Sequence, residues 1–139
     1  MTNIAGFGSK HTNMTHKQTI IIESSAEDLA RKGAEIFSQA AKESIGVRGR
    51  FAVAISGGFT PRGMHRLLGE EPFLSDIQWD KTDIFWVDER CVPINDQASN
   101  YGTAKKDFLN RIPIPHGHIH PIPVVSSPKD GALLYQQEL

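Results

Sequence analysis

Two short polar clusters carry residue types that can do chemistry. The first is Ser56-Gly57-Gly58-Phe59-Thr60-Pro61. Paired glycines let a backbone turn sharply and come close to a ligand. A helix opening at Thr60 and Pro61 would offer free N–H groups and the positive end of its dipole, which suits a phosphate. Ser56 and Thr60 add hydroxyl donors. A tight strand-to-helix turn with no ligand would use the same residues, so spacing alone leaves both readings open. The run is not a P-loop, because no Gly-Lys-Ser/Thr follows, and it lacks the dinucleotide fingerprint. The second cluster is Asp88-Glu89-Arg90. Two carboxylates and a guanidinium can orient a sugar, position a water and neutralise a phosphate. In isolation such a triplet reads as surface salt bridges. Its place directly after an apolar strand argues against that.

The elements that must position these clusters follow from hydrophobic spacing. Residues 18–23 read as a strand, with Ile20, Ile21 and Ile22 consecutive and β-branched, a run expected where both faces are buried. Ser25 offers an N-cap, with Asp28 three residues on, for a helix to about residue 44. Leu29, Ala30, Gly33, Ile36, Phe37, Ala40 and Ala41 would form its apolar face. Residues 51–55 form a second buried strand that ends in the glycine cluster. Thr60 as N-cap and Pro61 at the first helical position open a helix to about residue 68. Residues 82–87 form a third strand, with Asp88-Glu89-Arg90 at its carboxyl end. Ser99 caps a helix over 100–109. Pro113, Pro115, Pro121 and Pro123 mark an extended segment with a short strand over 118–122. Ser127-Pro128-Lys129-Asp130 opens a last helix that runs to Leu139. Alternating strands and helices predict an α/β domain, Rossmann-like, with an open, mainly parallel sheet flanked by helices. In such a sheet ligands bind at the carboxyl ends of the strands, where both polar clusters lie.

The remaining candidates are weaker. His118 and His120 on a strand would share a face. Two ligands with no third nearby do not make a metal site, so none is expected. His65 reads as a surface or interface residue on the helix after the glycine cluster. Cys91 has no base partner in sequence that would make it a nucleophile, and partial burial at the strand end is expected. Trp79, Phe85 and Trp86 read as core or sheet-packing residues.

Composition bounds the classes. The chain has 139 residues, a formal net charge of -1 and 39% hydrophobic residues, enough for one cored domain. The near-neutral balance gives no electrostatic case for nucleic acid or an acidic membrane surface. One cysteine fits a reducing compartment. No apolar run approaches the roughly 18 residues of a membrane helix. A cytoplasmic protein is expected. Residues 1–17, which include His11 and His16, read as a polar, disordered lead rather than a secretory signal.

Taken together, Ser56-Gly57-Gly58-Phe59-Thr60-Pro61, Val87-Asp88-Glu89-Arg90-Cys91-Val92-Pro93 and Asp96-Gln97-Ala98-Ser99-Asn100-Tyr101 resemble the 6-phosphogluconolactonases in sequence, order and separation. The resemblance runs from about Gln18 to Leu139. It implies hydrolysis of 6-phospho-D-glucono-1,5-lactone to 6-phosphogluconate, the second step of the pentose phosphate pathway, without metal or organic cofactor. It implies that the backbone of Gly57, Gly58 and Phe59, with the hydroxyls of Ser56 and Thr60, holds phosphate or sugar oxygens. Arg90 would pair with the substrate's anionic group, and Asp88 would orient substrate or water. Ser99, Asn100 and Tyr101 would brace the Asp88–Arg90 loop. Phe59 stands where the family usually has a small hydroxyl residue. A backbone contact survives that change and a side-chain hydroxyl contact does not. The family's general-base histidine lies in a later Asp-Gly-His loop, and this sequence contains no Asp-Gly-His. His116, His118 and His120 are not at the matching place. The resemblance therefore implies the N-terminal portion of such a domain, expected to pair with the rest of the domain or to self-associate. Two alternatives stay open. One is a relative of glucosamine-6-phosphate deaminase/isomerase, which typically has Asp-Glu-Tyr where Asp88-Glu89-Arg90 stands here. The other is a non-catalytic sugar-phosphate-binding module.

Overall fold

Helix α1 (Ala26–Arg48) starts where its cap dictates, with the Ser25 hydroxyl accepting the Asp28 N–H at 3.0 Å. It ends at Gly49, whose φ of 76° is the left-handed conformation that favours glycine. The computed structural model describes residues 19–125 and 127–139, so the polar lead and Gln18 lie outside the described residues. After α1 come β1 (Phe51–Ile55), α2 (Arg62–Leu68), α3 (Phe73–Asp76) and a 3-10 turn at Trp79–Lys81. Then follow β2 (Thr82–Trp86), α4 (Asn100–Ala104) with a π-helical continuation at Lys105–Leu109, a 3-10 turn at His116–His118, β3 (Ile119–His120) and α5 (Pro128–Glu138).

The three strands form one parallel sheet in the order β1-β2-β3, the open α/β arrangement expected. Phe51 lies beside Thr82, Ile55 beside Trp86 and Ile84 beside Ile119. Alternation puts Phe51, Ile55, Ile84 and Trp86 on one face. These join Phe37, Ala41 and Ile45 of α1, Leu68 of α2 and Phe108 in the core. Trp79 closes it, with its indole N–H donating to the Leu74 carbonyl at 3.0 Å. The opposite face carries Ala52, Ala54, Asp83, Phe85 and His120. Ala52 and Ala54 are exposed.

Several expectations change. Residues 19–23 form no strand, and Ile20 and Ile22 are 84% and 87% exposed. A β-branched run needs a neighbouring ladder, and no described strand pairs with it. Strand β1 is buried on one face only, for the same reason. In α1 the buried stripe is Ala34, Phe37, Ser38, Ala41, Ser44 and Ile45, while Leu29 and Ile36 are exposed. Small residues set that rotation. A Cβ on Gly33 would sit 3.0 Å from the Met64 sulfur, and one on Gly63 would sit 2.9 Å from Ala30 Cβ, so α1 and α2 pack closely. Thr60 does not cap α2, whose N-cap is Pro61, with the Pro61 carbonyl accepting from His65. Strand β2 stops at Trp86, leaving Val87 exposed. The expected strand over 118–122 shrinks to two residues, bounded by the 3-10 turn at His116–His118 and by Pro121.

Candidate functional site

Both polar clusters leave the sheet at one level. The last rung between β1 and β2 runs from the Val87 N–H to the Ile55 carbonyl at 3.0 Å. The glycine run therefore starts beside the Asp88 loop. Gly58 has a φ of 91°, which explains one glycine. Gly57 is required for another reason. A Cβ there would lie 1.8 Å from Asn100 Oδ1. Asn100 Nδ2 in turn donates to the Asp88 carbonyl at 2.9 Å. The two clusters are thus joined through Asn100.

Glu89 does not face outward with its neighbours. Its carboxylate accepts from the backbone N–H groups of Asn100 (2.7 Å), Tyr101 (2.9 Å) and Arg90 (2.7 Å), and from the Ser99 hydroxyl (3.3 Å). That hydroxyl also accepts from the Gly102 N–H at 2.9 Å, capping α4. The Tyr101 ring meets Trp86 edge-on at 5.2 Å. Glu89 therefore ties its loop to the start of α4, a role that its residue type alone did not assign. Asp88 and Arg90 remain exposed, with Arg90 Nε 3.7 Å from Asp88 Oδ2. In the glycine loop Ser56, Phe59 and Thr60 are exposed. No protein acceptor for the N–H groups of Gly57, Gly58 and Phe59 occurs among the described residues.

Three hollows border these loops. One of about 560 Å³ lies between the Glu89–Ile94 segment and Ile122 and Pro123. A second, of about 320 Å³, is bounded by Val87, Arg90, Ile122 and α5. Phe59 and Thr60 border a third, of about 620 Å³, on the α1–α2 side with Leu29, Arg31, Arg62 and Arg66. The clusters meet through the backbone and Asn100; the first two hollows adjoin along Glu89, Cys91 and Ile122, and the third shares no lining residue with them.

The other candidates are placed differently from expectation. His65 is buried, 3% exposed, and stacks on Phe108 with centroids 5.2 Å apart. Burial pushes its pKa down to about 4, despite the attraction of Asp107, so the ring is neutral. The sequence treated it as a surface residue because the apolar pocket around it comes from a distant helix. Asp107 was missed altogether. It is 4% exposed and accepts from Arg62 Nε at 2.8 Å and Arg66 Nε at 3.2 Å. Burial works to raise its carboxyl, but the Arg62 and Arg66 hydrogen bonds and charges outweigh it and hold it below the ordinary range. Cys91 is exposed rather than partly buried, since β2 ends earlier than expected. Trp79 and Trp86 are core residues, whereas Phe85 is half-buried against His120. Among the described residues no group of three or more His, Cys, Asp or Glu side chains could hold a metal ion. Among them, too, no helix is long and apolar enough to cross a membrane.

An open parallel sheet flanked by helices, with two linked loops at its carboxyl edge, defines an α/β domain of the Rossmann-like class. Comparison with known proteins narrows this. Residues 24–139 match the family described as glucosamine-6-phosphate isomerases/6-phosphogluconolactonase, and the chain belongs to that family. It is 39% identical over 112 residues to a protein of Oryza sativa subsp. japonica named "Probable 6-phosphogluconolactonase 1", covering 81% of this chain and 38% of the relative. It is 40% identical over 95 residues to "6-phosphogluconolactonase 3, chloroplastic" of Arabidopsis thaliana, covering 68% of this chain and 28% of the relative. The solved 6-phosphogluconolactonase from Trypanosoma cruzi aligns with a TM-score of 0.75 at 27% identity, over 92% of this chain and 52% of that one. The chain thus spans between about a quarter and two fifths of those curated relatives, and about half of that solved chain.

Proposed function

We propose that this chain is the substrate-anchoring part of a 6-phosphogluconolactonase acting in the pentose phosphate pathway. The observation that carries the reading is the Gly57–Asn100–Asp88 linkage, which couples two loops that the resemblance implies share one substrate. In lactone hydrolysis water adds to the carbonyl carbon while a base takes its proton. The oxyanion then collapses and the ring oxygen leaves, taking the proton from the protonated base, which gives the open-chain acid. Here the free N–H groups of Gly57, Gly58 and Phe59, with the Ser56 and Thr60 hydroxyls, hold phosphate or sugar oxygens. Arg90 pairs with the anionic group, and Asp88 orients the ring or the water. The base comes from outside these 139 residues. The exposed sheet face and α1 surface are covered by the remainder of the domain or by a second copy. The lone thiol of Cys91 fits a reducing compartment, and we place the activity in the cytoplasm.

Calorimetric titration of the chain with 6-phosphogluconate tests the anchoring role. Binding is expected, and Arg90→Ala should weaken it about tenfold or more by removing a charge-assisted contact. No binding by the unsubstituted chain overturns the reading. Lactone hydrolysis by the chain alone should stay at the spontaneous rate. Turnover at the rate of a complete family member would place the base within these residues.

A further inference from the structure

At this register the last rung of the β2–β3 ladder lies between the Trp86 N–H and the His120 carbonyl. Strand β3 ends there, and the hydroxyl of Tyr135 stands beside that rung. It accepts from the Trp86 N–H at 2.8 Å and lies 3.1 Å from the His120 carbonyl and 3.3 Å from the Trp86 carbonyl, to either of which it can donate. Tyr135 is buried and belongs to α5. What sets the backbone just before Val87-Asp88-Glu89-Arg90 is therefore a side chain from the last helix.

A second contact holds that helix. His120 Nδ1 is 2.7 Å from Glu138 Oε1 of α5, and His120 Nε2 is 3.2 Å from Asp83 Oδ1 of β2. Carboxylates only accept, so both ring nitrogens must carry protons to satisfy both contacts. The neutral ring turns a lone pair toward one of them. The ring also stacks on Phe85 of β2, with centroids 4.3 Å apart. From the 3-10 turn, His118 Nδ1 lies 3.2 Å from the same Asp83 oxygen without hydrogen-bond geometry. Asp83, His118, Glu138 and Tyr135 are thus the titratable groups facing His120.

We propose that α5 is a proton-dependent brace for the substrate loop: protonated His120 clamps Glu138 to Asp83, and α5 thereby holds Tyr135 where the sheet ladder ends, fixing the approach to Asp88 and Arg90. Tyr135 and His120 are positioning residues in this device, and its bearing on substrate rests on the reading of Asp88 and Arg90 above. Burial opposes the charged ring, but the Glu138 and Asp83 hydrogen bonds and charges outweigh it and raise His120 above the ordinary histidine range. The clamp is accordingly complete in mild acid and is lost as pH rises through the folded-state value.

Amide hydrogen exchange on the 139-residue chain, corrected for intrinsic rates, tests the brace. In the unsubstituted chain, protection of the Trp86 amide should fall about tenfold from mildly acidic to alkaline pH, as one hydrogen bond is lost. His120→Gln should abolish that pH dependence. Tyr135→Phe should lose Trp86 protection at every pH while the α5 amides stay protected. Trp86 protection that ignores pH in the unsubstituted chain, or that survives Tyr135→Phe, overturns the proposal. Binding of 6-phosphogluconate is read separately. Its absence in the unsubstituted chain defeats the functional reading, while the exchange data still decide on the brace.

Discussion

Single atoms decide much of the site. Gly57 is the clearest case, because a methyl group there would overlap the Asn100 amide. Gly57→Ala should cost about 2 kcal/mol by overpacking, measured by urea unfolding. Adding Asn100→Gly should recover part of that loss, and simple additivity of the two changes would refute the contact. His65 carries a pH signature opposite to that of His120. Its folded-state value, about 4, lies below the ordinary histidine value of 6.5, so the unfolded chain takes up the proton more readily. The stability of the neutral ring is present above pH 6.5 and lost as pH falls toward 4, by about 3 kcal/mol in all. Unfolding free energies at neutral and mildly acidic pH check this. His65→Leu should show a smaller decline over that window, and an equal decline would show that other groups cause it.

At the scale of elements, short helices are fixed by buried charge as much as by apolar packing. Asp107 receives both arginines of α2 and anchors it to the π-helical turn, where Arg111 also donates to the Asp107 carbonyl. Asp107→Ala would remove the shared partner of Arg62 and Arg66, which both reach solvent, and should cost about 2 kcal/mol in thermal unfolding. Arg66→Ala removes a half-exposed partner and should cost less than about 1 kcal/mol. Similar losses for the two would mean that Asp107 is not the hub. Neither the pairing nor the π-turn was legible in sequence, since both depend on which helix faces lie together. Three caps were legible: Ser25, Ser99 and Ser127 each accept the N–H three residues on, a contact made within one turn, whereas the expected Thr60 cap is not formed.

The whole molecule exposes apolar surface on one sheet face, along α1 and at Ile20 and Ile22. Solvated apolar surface of this kind promotes association. The chain by itself should sediment as a concentration-dependent mixture of monomer and larger species. A strictly monomeric species across concentrations would show that this surface needs no cover.

Local chemistry and chain order were enough to determine the alternation of strands and helices, the serine caps at Ser25, Ser99 and Ser127, the carboxyl-edge position of both polar clusters and the family resemblance. Each of these depends on neighbours a few residues apart. Tertiary structure alone decided the burial of His65, the inward turn of Glu89, the Asp107 hub and the seating of Tyr135 at the end of the ladder, as well as the absence of a strand at 19–23. Each depends on what a distant segment brings alongside, and hydrophobic spacing carries no record of that partner.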